Sequence, residues 1–310
     1  MYAGPPSHVA GLPELDRALV MGVLNVTPDS FSDGGRWFDT GRAVEHGRCL
    51  VAQGADLVDV GGESTRPGAS RPTAQEEQDR ILPVITALAA EGVTISVDTM
   101  RAEVARAAVD AGAVLVNDVS GGRADPAMFE TVADLEAPYV LMHWRAHSAT
   151  MQQQTRYADV VADVVSELRA QLDLALAAGI APERIALDPG IGFSKTADQN
   201  WEVLAATERF HELGHPLLVA TSRKRFLGVL LADDDGTLRP PLERDDATTA
   251  TTALAAGAGA WCIRAHAVRP TADAVRVAAR WAAAGPVTGR VEPAGASAGR
   301  AGSPVPGGTP

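Results

Sequence analysis

Residues 57–68 read Leu-Val-Asp-Val-Gly-Gly-Glu-Ser-Thr-Arg-Pro-Gly. A strand-sized run ends in glycines, hydroxyls and charges. The same grammar recurs along the chain. Val-Leu-Asn at 23–25 leads toward Thr-Pro-Asp-Ser-Phe-Ser-Asp-Gly-Gly at 27–35. Ile-Ser-Val at 95–97 leads into Asp-Thr, and Leu-Val at 115–116 into Asn-Asp-Val-Ser-Gly-Gly. Val-Leu-Met at 140–142 precedes His-Trp-Arg, and Ile-Ala-Leu at 185–187 precedes Asp-Pro-Gly-Ile-Gly-Phe-Ser-Lys-Thr. Leu-Leu-Val-Ala at 217–220 meets Thr-Ser-Arg-Lys-Arg, and Trp-Cys-Ile at 261–263 meets Arg-Ala-His. Segments with helical periodicity separate these runs. Together they predict an α/β fold: a single (β/α)8 TIM barrel with its active site at the C-terminal ends of the strands.

The 310 residues are 46% hydrophobic, enough for a sizeable core. Length alone permits two domains, and the strand–helix alternation argues for one. We expect an N-terminal lead-in over 1–18, the barrel over 19–284, and a disordered Gly/Pro/Ala-rich tail over 285–310. A net charge of -12 argues against nucleic acid or an anionic membrane as the main partner. It leaves room for a local basic pocket. Cys49 and Cys262 fall on a predicted helix and a predicted strand, and both are expected to be buried, reduced thiols. No apolar stretch reaches the roughly 18 residues of a membrane span. The opening Met-Tyr-Ala-Gly-Pro-Pro has no basic start and no apolar core. It does not read as a signal peptide, so a cytoplasmic protein is expected.

Local signals support the helices. Thr73 and Glu76 form a capping box ahead of Ile81, Val84, Ile85 and Leu88. Thr99 is expected to cap a helix carrying Val104 and Ala108, stopped by Gly112. Val161, Val164, Val165, Leu168, Leu172 and Leu176 give a helical stripe within 157–178, ended by Gly179. Asp233, Asp234, Asp235 and Gly236 read as a solvated surface loop, since no apolar framework holds them as a metal site.

The strand tips offer Asn25, Asp33, Arg66, Asp98, Asn117, Asp188, Ser222, Lys224, Arg264 and His266. Any one of them can be a helix cap or a rim hydrogen bond, but barrel closure would bring all of them to one face. Two subsets separate by charge. Arg66, Arg264, His266 and Lys224 suit an anion such as phosphate. Asn25 can lend a neutral oxygen to a Mg²⁺ held mainly by phosphates. Asp98, Asn117 and Asp188 make an acceptor-rich surface for a flat heterocycle with many N–H donors. A metal between the two aspartates is the competing reading, but no third carboxylate or His stands at a matching spacing. Gly-Ile-Gly-Phe-Ser-Lys-Thr resembles a phosphate loop, yet Pro189 and Ser194 stand where that loop needs glycine. Lys224 could be read as a Schiff-base lysine, although nothing in the sequence supplies the desolvated pocket it would need.

Taken together these motifs resemble dihydropteroate synthase, in its actinobacterial style. The resemblance rests on residues 25–35, 59–68, 96–99, 117–122, 141–145, 188–193, 222–228 and 264–266, and spans nearly the whole barrel. It implies a transferase of folate biosynthesis. Such an enzyme condenses p-aminobenzoate with 6-hydroxymethyl-7,8-dihydropterin diphosphate, giving 7,8-dihydropteroate and pyrophosphate, and sulfonamides compete with it. It implies that Asp98, Asn117, Asp188 and Lys224 hold the pterin, and that Asn25 binds Mg²⁺. Thr65, Arg66, Arg264 and His266 would take the diphosphate. Phe31, Pro67, Phe193 and Ser222 would form the p-aminobenzoate pocket. Asp33 would stabilise developing positive charge. A homodimer, through helices on the far side from the first strand, is implied as well. Three features depart from the family pattern: Ser194 where Gly is usual, Ala267 where Asp is common, and an acidic insert at 231–245. A methyltetrahydrofolate-binding barrel would share the acceptor set without needing the diphosphate set. A non-catalytic pterin-binding paralogue would be expected to have lost anion-site residues.

Overall fold

The computed structural model describes residues 8–27, 40–63, 71–147 and 153–285. In it the strands are β1 (Leu19–Asn25), β2 (Leu57–Gly61), β3 (Ile95–Asp98), β4 (Leu115–Asp118), β5 (Tyr139–Met142), β6 (Ile185–Asp188), β7 (Leu218–Val219) and β8 (Cys262–Ala265). All paired neighbours are parallel, in the order β6-β5-β4-β3-β2-β1-β8-β7. The seam between the two ends is spanned by a parallel bridge, Leu187 to Leu217. There the Leu187 N–H donates to the Pro216 carbonyl at 2.8 Å. Every apolar run singled out in the sequence overlaps one of these strands, and helices alternate with them.

A strand buried on both faces is apolar almost throughout, and its alternate residues pack in different layers. Val20, Leu24, Val58, Val60, Ile95 and Val97 pack outward under the helices. Leu19, Met21, Leu57, Leu115, Val140, Ala186, Leu218 and Cys262 pack together inside the barrel. The inward parity then continues toward the strand tips with a change of chemistry. Leu57 is followed two residues later by Asp59, Leu115 by Asn117, Ala186 by Asp188 and Cys262 by Arg264. An apolar floor thus passes into a polar mouth without any change of strand geometry.

Helix starts follow local chemistry. Thr73 and Glu76 form the reciprocal capping box of the helix Ala74–Ala90, and Asp159 caps Val160–Ala177. Thr99 does not act as the cap expected of it. The helix Ala102–Asp110 begins after Arg101, and its first N–H is taken by Asp125 Oδ2 at 2.8 Å. Thr99 Oγ1 instead donates to the buried Glu77 at 2.7 Å, a carboxylate that needs a donor, and accepts the Arg101 N–H ahead of the helix at 3.2 Å. Of the two cysteines, Cys262 is buried as expected but Cys49 is exposed. It lies between Gly47 and Leu50, the residues its helix turns to the core, on the outward face. Residues 233–236 are exposed, as a solvated loop should be. The stretch 286–310 lies outside the described residues.

The N-terminal lead-in is packed where it is described, over residues 8–18. Val9 is buried in the floor cluster beside Leu19, Met21 and Trp261. The Ala10 N–H donates to the Glu183 carbonyl at 2.8 Å. The segment therefore closes the bottom of the barrel. Val9→Ala should lower the unfolding free energy by about 2 kcal/mol, and removal of residues 1–18 should lower it further. Denaturant titration reads both, and an unchanged midpoint in the shortened chain would show that the floor is closed without this segment.

Candidate active site

Asp59 sits at the centre of the mouth, with its side chain fully buried. Its Oδ2 accepts from Arg264 Nε at 2.6 Å and from Asn117 Nδ2 at 3.0 Å. Arg264 Nη2 reaches on to Asp98 Oδ2 at 2.7 Å. The parallel register explains the convergence: Gly61 is opposite Asp98, and Asp98 is opposite Asn117. The sequence reading had divided these residues into an anion-binding set and an acceptor set. The structure joins the two through Arg264.

The electrostatics follow from burial. Burial opposes the Arg264 cation, but Asp59 and Asp98 outweigh it and hold the guanidinium charged. Burial pushes Asp98 up to about 7. Arg264 opposes the shift, while Asp59, Glu77 and Glu63 add to it. Burial also raises Asp188, against the pull of Lys224 and of the Gly190 N–H, which donates to Asp188 Oδ1 at 2.7 Å.

Lys224, half-buried, donates to the Ile191 carbonyl and lies 4.9 Å from the centre of the Phe193 ring. Burial brings it down to about 8, with Asp188 pulling the other way. The flanking Arg223 is spent elsewhere, on Asp245 at 2.7 Å. Gly192 is required beneath the lysine: its φ is +84°, and a Cβ would come within 2.8 Å of Lys224 Cδ.

Ser222 Oγ and His266 Nδ1 lie 2.9 Å apart, and the His266 N–H also donates to Ser222 Oγ at 3.1 Å. Ser222 thus orients the imidazole next to Ala267, the residue that stands where the family's usual Asp would be. Ala267 precedes the helix Val268–Ala283 without a side-chain cap. Ser194 stands in the left-handed region at φ 49°, which explains why glycine is usual there. Among the described residues its buried Oγ has no hydrogen-bond partner. Asn25 ends β1 opposite Gly61. Phe31, Asp33, Thr65, Arg66 and Pro67 lie outside the described residues. On either side of 64–70, Glu63 and Arg71 pair at 2.7 Å. Arg101 binds both Glu63 at 3.0 Å and the Pro72 carbonyl at 2.7 Å.

Among the described residues no three His, Cys, Asp or Glu side chains gather as a metal cluster. Asn25 is a single neutral oxygen donor. That donor set fits a Mg²⁺ delivered on substrate phosphates, not one caged by protein.

Comparison with known proteins bears on this arrangement directly. The model of the pterin binding enzyme family matches residues 21–266. The dihydropteroate synthase of Mycobacterium leprae is 54% identical over 268 residues, which cover 86% of this chain and 94% of that protein. The dihydropteroate synthase of Xanthomonas albilineans in complex with 7,8-dihydropteroate superposes with a TM-score of 0.78 at 42% identity, covering 90% of this chain and 98% of that one. That of Yersinia pestis, with a sulfonamide drug, gives 0.81 at 39% identity over 89% and 98%. The chain belongs to the pterin-binding enzyme family, among its dihydropteroate synthases.

For a pterin-binding enzyme, sequence reasoning had overlooked two groups. Asp59 was quoted within a motif but given no role. Its signal was available: a carboxylate interrupting the apolar run Leu57, Val58, Val60. Lys195 was set aside with its phosphate-loop look-alike, although it is 3% exposed and sits directly beneath the mouth.

Asp98 gives a pH test. Its folded value near 7 lies above the ordinary 3.8, so between about pH 4 and pH 7 the native state keeps a proton that the unfolded chain has lost. That stabilisation is complete below about pH 4 and is lost as pH rises through about 7. Denaturation at a series of pH values should show wild type losing stability relative to Asp98→Asn across that window. Parallel curves would contradict the assignment.

Proposed function

We propose that this barrel mouth condenses p-aminobenzoate with 6-hydroxymethyl-7,8-dihydropterin diphosphate, yielding 7,8-dihydropteroate and pyrophosphate. The observation that carries the reading is Arg264 bridging Asp59 and Asp98 beside Asn117 and Asp188. It places a fixed cation at the edge of an acceptor-lined pocket. The relative from Xanthomonas albilineans was solved with 7,8-dihydropteroate, the product of this condensation.

Asp188, Asp98 and the Asn117 oxygen accept the pterin N–H groups. The Asn117 amide nitrogen is committed to Asp59, which leaves the oxygen for the ligand. Lys224 donates from the opposite side. The diphosphate lies toward Arg264 and His266, with Thr65 and Arg66 assigned by kinship. The C–O bond breaks with its electron pair leaving on pyrophosphate. Arg264 stabilises that charge, and its own cation is held by two carboxylates in a water-poor setting. Mg²⁺ bound to the diphosphate, with Asn25 as a protein oxygen, would neutralise the leaving group further.

The methylene left behind is cationic and conjugated with the ring. Negative potential from Asp98 and Asp188, with Asp33 assigned by kinship, favours it. The p-aminobenzoate nitrogen attacks that carbon as a neutral amine, forms the C–N bond and then releases its proton. Phe193 and Ser222, with Phe31 and Pro67 by kinship, shape the pocket for its ring. A sulfonamide, which mimics p-aminobenzoate, competes there.

A homodimer is part of the proposal. Leu254, Val277 and Trp281 are 73%, 61% and 69% exposed, on the neighbouring helices Asp245–Gly257 and Val268–Ala283. Apolar surface of this kind favours a protein contact. The second of these helices packs on β1, so this contact surface is not on the far side from the first strand. No helix among the described residues is long and apolar enough to cross a membrane. Two free cysteines suit the cytoplasm.

Pyrophosphate release should require both p-aminobenzoate and Mg²⁺ and should stop on chelation. Arg264→Ala should lower kcat/KM by about 100-fold or more, while a pterin lacking the diphosphate still binds. Turnover near wild type in that variant would overturn the anion-site assignment.

A further inference from the structure

We infer that Lys195 is a positioning residue of the condensation proposed above: its ammonium gathers the loop after β6 from within and fixes where Phe193 and the Ile191 carbonyl face the substrates. The inference rests on that functional reading. Lys195 belongs to the segment that resembles a phosphate loop, but its side chain turns into its own loop instead of toward an anion. Nζ lies 2.9 Å from the Pro189 carbonyl oxygen, 3.0 Å from that of Gly190 and 3.3 Å from that of Phe193. His143 Nδ1 is 3.1 Å away. An ammonium has three N–H donors and no acceptor, so it suits a ring of carbonyl and imidazole lone pairs. Burial brings Lys195 down to about 7 against the pull of Asp188, and the acceptors that surround Nζ on the loop favour its charged form.

The loop needs such a centre. Gly190, Gly192 and Ser194 all have positive φ, so residues 189–194 form neither strand nor helix. Its outward groups are the ones the proposed chemistry uses. The Gly190 N–H holds Asp188, the Ile191 carbonyl receives Lys224, and the Phe193 ring lies under the Lys224 ammonium. Releasing the centre would therefore move groups on the rim.

Behind Lys195 a chain of contacts fixes the ammonium. Burial brings His143 down to about 4, so its imidazole is neutral. With Nδ1 accepting from Lys195, Nε2 carries the proton and donates to Glu167 Oε2 at 3.0 Å. Arg145 Nε binds the same carboxylate oxygen at 3.0 Å, and its guanidinium stacks 3.7 Å from the centre of the Tyr157 ring. The Tyr157 hydroxyl donates to the Ser194 carbonyl at 2.9 Å and so returns to the loop. Glu167 belongs to the helix Val160–Ala177 and is 30% exposed. The loop is thus tied to a surface helix through a buried imidazole and a buried lysine.

The test is steady-state kinetics on the full chain, with wild type alongside. Lys195→Met keeps the length and removes the donors. It should raise KM for p-aminobenzoate about tenfold and lower kcat less than about threefold. Affinity for a pterin lacking the diphosphate should fall less, by about threefold at most, because Asp188 and Lys224 lose only their loop partners, the Gly190 N–H and the Ile191 carbonyl, while β3 and β4 still present Asp98 and Asn117. Glu167→Gln, a half-exposed change, should raise the same KM about threefold. If the Met variant does not fold, the Gln variant decides alone by the same criterion. An unchanged KM for p-aminobenzoate in a wild-type background that turns over would overturn this inference only. So would equal losses for both substrates, which is what a smaller folded fraction produces. No turnover by wild type would overturn the functional reading and this inference with it.

Discussion

The constraint on which the mouth depends is a buried charge, Arg264 against Asp59. Taking both groups out of water costs several kcal/mol per ion, and their attraction only roughly offsets it. The pair is therefore not there mainly to stabilise the barrel. Its use is geometric. One carboxylate oxygen accepts from both Arg264 and Asn117, and the same guanidinium donates to Asp98. Residues from β2, β3, β4 and β8 are thereby locked into one arrangement before any ligand arrives. Fixed dipoles and charges that need not reorganise during a reaction are the largest single resource of most active sites.

That lock is possible because strand periodicity does not change between floor and mouth. Inward positions are apolar where the barrel must be closed and polar two residues later, where it opens. Val9 completes the floor from outside the repeat. The loop after β6 is organised differently. It has no ladder, so a buried ammonium and a buried imidazole hold it, backed by the helix Val160–Ala177. Strand-borne Asp98, Asn117 and Asp188 would face the pterin, joined by Lys224 from the loop after β7, and Phe193 on the loop after β6 would face the p-aminobenzoate. The two substrates should then respond to different classes of mutation.

Much of this was legible in the sequence. The barrel could be read because a parallel strand must be apolar throughout and must end abruptly at its functional tip. Asp98, Asn117, Asp188, Lys224 and Arg264 could be read because each follows or ends such a run. Asp59 was missed because it lies within a run, where a charge looks like an exception and not a hub. Lys195 was missed because a motif failed, and the failure hid the residue. Thr99 was misassigned because local capping rules do not see Glu77, 22 residues away in sequence and 2.7 Å away in space. Cys49 was misplaced because residue type says little about which side of a helix faces solvent.

The central claim is that one mouth has two halves, an acceptor wall for the pterin and a cationic edge for the diphosphate, joined by Arg264. The most direct measurement is calorimetric titration of two probes separately: a pterin without diphosphate, and pyrophosphate with Mg²⁺. Each would be titrated into wild type, Asp188→Asn and Arg264→Ala. The account predicts that Asp188→Asn weakens the pterin and spares pyrophosphate, while Arg264→Ala weakens pyrophosphate more than the pterin, which loses only the bracing of Asp98 and Asn117. Equal weakening of both probes by either variant would contradict it.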